Sequence, residues 1–243
     1  LQITVRGASF GLGASATFSG ASCPVVAGSR THTQLICNLI AGRGNVSVAV
    51  LNSLGQTSVN TQLFTYDAPV IVSISPISAA TRGGTTLVIN GLSFDTSGQV
   101  FVGSSSCTII SYNQTVILCS LPAGTGTGKL VQVRAVSNRT STNLVYFDYL
   151  PPSVSQIVPL VGSTDGSTQL TLSGSSFGAS SATGSVTVGG RACTPVFWND
   201  TLVRCQAPAF QGTGLVVRMN VSGLISNELQ FAYSPPSLSS LAP

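Results

Sequence analysis

The chain has 243 residues, 43% of them hydrophobic and 7% charged, with 26 glycines and 12 prolines punctuating short runs of β-branched and aromatic residues. Its net charge of +4 comes from basic residues that never cluster, so there is no basic stripe interleaved with aromatics and nucleic acid is excluded as a partner. Mean hydropathy is positive, yet no apolar run approaches the ~18 residues that span a bilayer, and direct membrane insertion of this segment is not expected.

In chain order, an alternating run, Leu1-Gln2-Ile3-Thr4-Val5, reads as a half-buried strand and leads into Gly7-Ala8-Ser9-Phe10. A cysteine pair, Cys23 and Cys37, follows, then Leu63-Phe64-Thr65-Tyr66 and a linker at Ala68-Pro69. The same series then recurs. Thr86-Leu87-Val88-Ile89 leads into Gly91-Leu92-Ser93-Phe94, Val100-Phe101-Val102-Gly103, Cys107 and Cys119, the turn Ala123-Gly124-Thr125-Gly126, a strand from Val131 to Val136, and Tyr146-Phe147-Asp148-Tyr149 before Pro151-Pro152. A third pass gives Gln169 to Leu172, Gly174-Ser175-Ser176-Phe177, Val186 to Gly189, Cys193 and Cys205, and Gln230-Phe231-Ala232-Tyr233 before Pro235-Pro236. Some seven short strands per repeat, with turn signals between them, predict an all-β fold: three tandem immunoglobulin-like Greek-key β-sandwiches. The expected boundaries are residues 1–68, 69–151 and 152–235, joined by short proline linkers that restrict bending.

The ordered series Val72-Ser73-Ile74-Ser75-Pro76, Gly83-Gly84-Thr85, Ile89-Asn90-Gly91-Leu92-Ser93-Phe94, Phe101-Val102-Gly103, Cys107, Cys119-Ser120-Leu121-Pro122 and Phe147-Asp148-Tyr149 resembles the IPT/TIG domain. The resemblance covers essentially the whole chain. It implies immunoglobulin-fold sandwiches of the kind found in receptor ectodomains, cell-surface repeat proteins and some transcription factors, whose DNA-contacting neighbouring domain and loops have no counterpart here.

The first repeat departs from the pattern. Aligning Gly7 with Gly91 sets Leu1 opposite Thr85, so the counterpart of residues 68–84, with its opening strand, is not in this sequence, while residues 236–243 read as an opening strand with no module behind it. Leu1 follows no initiator Met or signal peptide, as in a processed chain or a piece of a longer one. Two expectations follow. Either the tail of one copy, through Leu238 and Leu241, completes the first module of the next, head to tail, or the chain is a window onto a longer covalent tandem array that supplies the same neighbour.

Six cysteines fall as local pairs, Cys23/Cys37, Cys107/Cys119 and Cys193/Cys205, one per module. With His32 the only histidine there is no metal-ligand spacing, and the pairs read as disulfides made in an oxidising, extracellular compartment. Sequons at Asn45, Asn113, Asn138, Asn199 and Asn220 fit that compartment, with covalent glycans hydrating a surface poor in ions. Asn113 and Asn199 each lie six residues before the second cysteine of a pair and follow an aromatic, Tyr112 or Trp198, which either stacks on the first sugar or pads the hairpin.

No catalytic constellation is legible: the acids Asp67, Asp95, Asp148, Asp165, Asp200 and Glu228 are dispersed as in linkers and turns, and no glycine loop joins a strand to a helix. No enzyme activity, cofactor or metal is expected. The sequence reads as a structural repeat unit of a glycosylated extracellular fibre or cell-surface appendage. The alternatives are an adhesion or receptor ectodomain binding a protein or glycan ligand, and carbohydrate-binding accessory domains of a secreted enzyme.

Overall fold

A period of two puts one apolar face on each short strand, and that face is stable only against a second sheet. The computed structural model of the chain describes residues 1–240 apart from the side chain of Thr183, and in it the chain meets this need three times, as three tandem immunoglobulin-like sandwiches.

The first sandwich comprises β1 (Gln2–Arg6), β2 (Ser15–Phe18), β3 (Ala21–Cys23), β4 (Gln34–Asn38), β5 (Asn45–Leu51) and β6 (Gln62–Thr65). The second comprises β7 (Val70–Ser75), β8 (Ser78–Ala79), β9 (Thr86–Leu92), β10 (Gly98–Val102), β11 (Ser105–Tyr112), β12 (Val116–Ser120), β13 (Lys129–Ala135) and β14 (Val145–Tyr149). The third comprises β15 (Ser153–Val158), β16 (Val161–Gly162), β17 (Gln169–Ser175), β18 (Gly184–Val188), β19 (Arg191–Trp198), β20 (Leu202–Gln206), β21 (Leu215–Val221), β22 (Leu224–Ile225) and β23 (Leu229–Tyr233).

In the second sandwich one pairing path, β7-β9-β12-β11-β10-β13-β14-β8, serves both layers. This is possible because β11 changes partner midway. Cys107 lies opposite Val100 of β10, whereas Ile109 to Tyr112 pair with β12 across a bulge at Ile110. At the opposite flank the opening segment also serves both layers: β7 lies antiparallel on β9, and after Pro76 the short β8 lies parallel to β14. The third sandwich repeats this path, with its bulge at Val196 and β22 added beside β21. Cys107–Cys119 and Cys193–Cys205 are disulfide-bonded at the corner where the strand leaves one layer for the other, and Cys23–Cys37 is bonded at the corresponding place.

The first sandwich differs. Its strands form two separate sheets, β1-β4 and β3-β2-β5-β6, and among the described residues nothing pairs with the outer edge of β1. The consequence appears in its core. Leu87 and Ile89 of β9 and Leu170 and Leu172 of β17 are fully buried, but their counterparts Ile3 and Val5 are only half-covered. Val48 and Val50 fall short in the same way beside Val131 and Val133, as does Phe64 beside Phe147 and Phe231.

Candidate functional site

Three of these partly covered residues, Val5, Val48 and Val50, line a groove of about 690 Å³ between β1 and the β5–β6 layer together with the buried Phe10, with Gly7 and Asn60 at its rim. The other two sandwiches show what occupies this position. In the second, β7 buries Ile71 and Ile74; in the third, β15 buries Val154 and Ile157. Each inserts two apolar residues three apart, because a bulge after the first returns the second to the same face.

The backbone of the inserted strand is held from both sides. Gly91 lies opposite Ile71, and its own N–H is spent on Thr115 of the β11–β12 turn (2.8 Å), so Ile71 receives no ladder bond from it. An asparagine from the facing layer supplies the missing partners. Asn143 Oδ1 accepts the Ile71 N–H (2.9 Å) and Asn143 Nδ2 donates to the Ile71 carbonyl. Asn227 does the same for Val154, at 2.8 Å for each bond. Glycine is required opposite the strand, since a Cβ on Gly91 would lie 2.1 Å from the Val70 carbonyl oxygen and one on Gly174 2.0 Å from that of Ser153. A Cβ on Gly7 meets only the Phe10 ring.

In β1 the bonds from Gly7 N–H to the Thr33 carbonyl and from Leu39 N–H to the Leu1 carbonyl point the odd-numbered backbone groups at β4. By alternation, the N–H and C=O groups of Thr4 and Arg6 face the open edge. The site therefore offers an unpaired strand edge beside an apolar trough. Of the two tail residues singled out in the sequence, Leu238 is 79% exposed outside any strand, and Leu241 lies outside the described residues.

All five sequon asparagines are exposed. Asn113 and Asn199 occupy identical hairpin turns: Oδ1 accepts the backbone N–H of Thr115 (2.9 Å) and Val116 (2.8 Å) in one, and of Thr201 (2.9 Å) and Leu202 (2.8 Å) in the other. The turn engages the oxygen, while the amide nitrogen of each exposed asparagine bonds to none of the described residues. The neighbouring aromatics serve the fold. Trp198 Nε1 donates to the Phe177 carbonyl (2.8 Å) and Tyr112 Oη to that of Phe94 (2.6 Å), with the Trp198 ring close against Gly184 and the Tyr112 hydroxyl close against Gly98. Both rings, half-buried against the cores of their sandwiches, thus pad the hairpin.

One further expectation needs correction. Asp148 sits on β14, not in a turn, where it accepts the Gly128 N–H (2.7 Å). Glu228 pairs with Arg218. Two more arginines are engaged: Arg139 reaches across to the Tyr66 carbonyl of the preceding sandwich, and Arg191 lies 4.4 Å from the centre of the Phe210 ring.

Burial, reinforced by the Asp95 charge, pushes the Tyr112 phenol up to about 12, and burial also raises Tyr66, Tyr149 and Tyr233. A raised phenol favours the neutral form when folded, so its stabilisation is complete below the ordinary tyrosine value near 10 and is lost as pH climbs from there toward 12. Alkaline unfolding is expected to set in above pH ~10, with tyrosinate absorbance lagging behind that of the unfolded chain. Ionisation of all five tyrosines at the ordinary value in the folded protein would contradict this assignment.

Residues 1–66, 69–149 and 152–233 each match the family model described as IPT/TIG domain. Fibrocystin-L from Homo sapiens is 34% identical over 177 residues, covering 71% of this chain and 4% of that protein. Fibrocystin-L from Mus musculus is 28% identical over 203 residues, covering 79% and 5%. The chain thus spans only a small fraction of the length of these relatives. Among solved structures, the surface glycan-binding protein PbSGBP-B from Prevotella bryantii aligns with a TM-score of 0.46 at 12% identity over 69% of this chain and 43% of that one. The plexin A4 extracellular region, domains 1 to 8, aligns with a TM-score of 0.34 at 15% identity over 96% and 32%. With the family match running through every sandwich, the chain belongs to the IPT/TIG family, as three such domains in tandem.

Proposed function

We propose that this chain is a structural repeat unit of a glycosylated extracellular fibre or surface appendage, assembled head to tail by strand addition into its first sandwich. The observation that carries this reading is the groove along β1. Its counterparts hold Val154-Ser155-Gln156-Ile157 and Ile71-Val72-Ser73-Ile74, and Leu238-Ser239-Ser240-Leu241 has the same spacing, beginning like both of them two residues after a proline. Donor and acceptor surfaces differ, so the contact is heterologous and propagates unless it closes a ring.

The end faces support the same direction. Thr81 of the second sandwich donates to Asp200 of the third, and Thr125 meets Ser222 at 2.7 Å. Thr164 and Gln211, the counterparts of Thr81 and Thr125 in the third sandwich, line an open concavity of about 730 Å³, while the exposed counterpart of Asp200 in the first sandwich is His32. The disulfides support an oxidising, extracellular setting. The exposed sequon asparagines at the hairpin tips, Asn113 and Asn199, support N-linked glycans there, and a peptide N-glycosidase is expected to increase the gel mobility of native material. Unchanged mobility would count against N-glycosylation.

The small share of Fibrocystin-L that the chain covers favours one further reading, in which a long covalent array delivers the strand within one polypeptide. Electron microscopy and denaturing intact mass separate the two. Discrete protomers give filaments built of units with the mass of 243 residues plus glycans, and Leu238→Asp with Leu241→Asp abolishes the filaments. Filaments formed equally well by the double variant would overturn strand addition, and a mass far above one unit would establish the covalent array.

A further inference from the structure

Asn60 stands in the first sandwich where Asn143 and Asn227 stand in the others. Each lies four residues before the phenylalanine of the closing strand, Phe64, Phe147 or Phe231. Each is also preceded closely by a serine, Ser58, Ser141 or Ser226, whose hydroxyl accepts a backbone N–H of the neighbouring strand at Val50 (3.2 Å), Val133 (3.2 Å) or Met219 (3.0 Å). The three loops are thus built alike. Asn143 and Asn227 spend their side-chain amides on the opening strand, whereas Asn60 is exposed at the groove rim and its side chain bonds to none of the described residues.

Resting on the strand-addition reading, we propose that Asn60 is the clamp that captures the incoming strand and sets its register, its Oδ1 accepting the N–H and its Nδ2 donating to the carbonyl of Leu238 from a second copy. The geometry requires such a partner. The residue seated opposite Gly7 gains no ladder bond from it, because the Gly7 N–H is already given to Thr33 (2.9 Å). Once seated it would be buried, as Ile71 and Val154 are, with two backbone groups to satisfy. A side-chain amide is suited to this task, since it presents a donor and an acceptor in one plane at the spacing of a single residue's N–H and C=O. The clamp also discriminates register: a slip of one residue would turn a ladder-bonded residue toward Asn60 and the apolar pair out of the trough.

The test uses the full chain carrying Leu238→Asp and Leu241→Asp, so that its own tail does not compete, and titrates it with a synthetic peptide of residues 234–243. Asn60→Ala is expected to weaken binding about thirtyfold, as for two buried hydrogen bonds, without lowering the melting temperature of the free chain. A peptide whose Leu238 amide N–H is replaced by an ester oxygen should bind the Asn60-containing chain about tenfold more weakly than the amide peptide, yet lose little further on the Asn60→Ala chain. Equal peptide affinity with and without Asn60, or losses that simply multiply, would overturn the clamp while leaving strand addition standing. Failure of the peptide to bind the chain that retains Asn60 would overturn both.

Discussion

Replacing Gly174 with alanine is expected to strip the opening strand from the third sandwich. The new Cβ would lie 2.0 Å from the Ser153 carbonyl oxygen and 2.7 Å from the Phe177 ring, and the first of these is backbone that cannot turn aside. Moving β15 away uncovers Val154 and Ile157, so the cost combines overpacking with lost burial, about 3–5 kcal/mol. In calorimetry the transition of this sandwich should fall by roughly 15 °C, and protease should gain access near residues 153–158. Gly91→Ala is expected to act alike in the second sandwich through the Val70 carbonyl. Gly7→Ala is the informative contrast. Its Cβ meets only the edge of the Phe10 ring, so the free chain should lose much less stability, and under the proposed strand addition the filaments should be lost. Equal destabilisation by all three substitutions would show that the glycine serves its own sandwich and not the strand laid across it.

Removing a disulfide is the second large effect. Each bridge closes a loop with a sequence separation of 12 or 14 and pins a corner between the layers. In the chain-entropy account such a bridge contributes about 3 kcal/mol, a large part of what so small a sandwich possesses. The loss should not fall evenly. Cys23 and Cys37 stabilise a sandwich whose Ile3, Val5, Val48 and Val50 are only half-covered, so reduction is expected to unfold the first sandwich at the lowest denaturant concentration and the other two later. Limited proteolysis under graded reduction reads this order. Simultaneous loss of all three would contradict the account of an under-covered first core.

Much of this was legible in the sequence because the chain states its pattern nearly three times. The recurrence of Gly-x-x-Phe, of the cysteine pair and of Phe-x-Tyr located the strands, the bridges and the place where the first copy falls short. What escaped was whatever depends on where a backbone group or a ring points. The bulges at Ile110 and Val196 interrupt the alternation ahead of Tyr112 and Trp198, so periodicity could not tell that those rings turn inward to the carbonyls of Phe94 and Phe177. Asn60, Asn143 and Asn227 recur at one spacing, yet an asparagine before a strand reads as turn chemistry until the N–H and C=O of Ile71 and Val154 are seen to be bonded by Asn143 and Asn227 in place of ladder partners. The reach of Arg139 to the Tyr66 carbonyl crosses a domain boundary, which no local pattern encodes.

Hydrogen exchange in the first eight residues tests the central claim most directly. Thr4 and Arg6 direct their N–H groups at the open edge of β1, where Val88 and Asn90 of the second sandwich direct theirs at β7. In native assembled material these two amides are expected to be as slow to exchange as those of Val88 and Asn90, and to become fast when the material is dispersed to single chains. Rapid exchange at Thr4 and Arg6 in the assembled state would mean that the groove stays empty there, and the first sandwich would not be a strand acceptor.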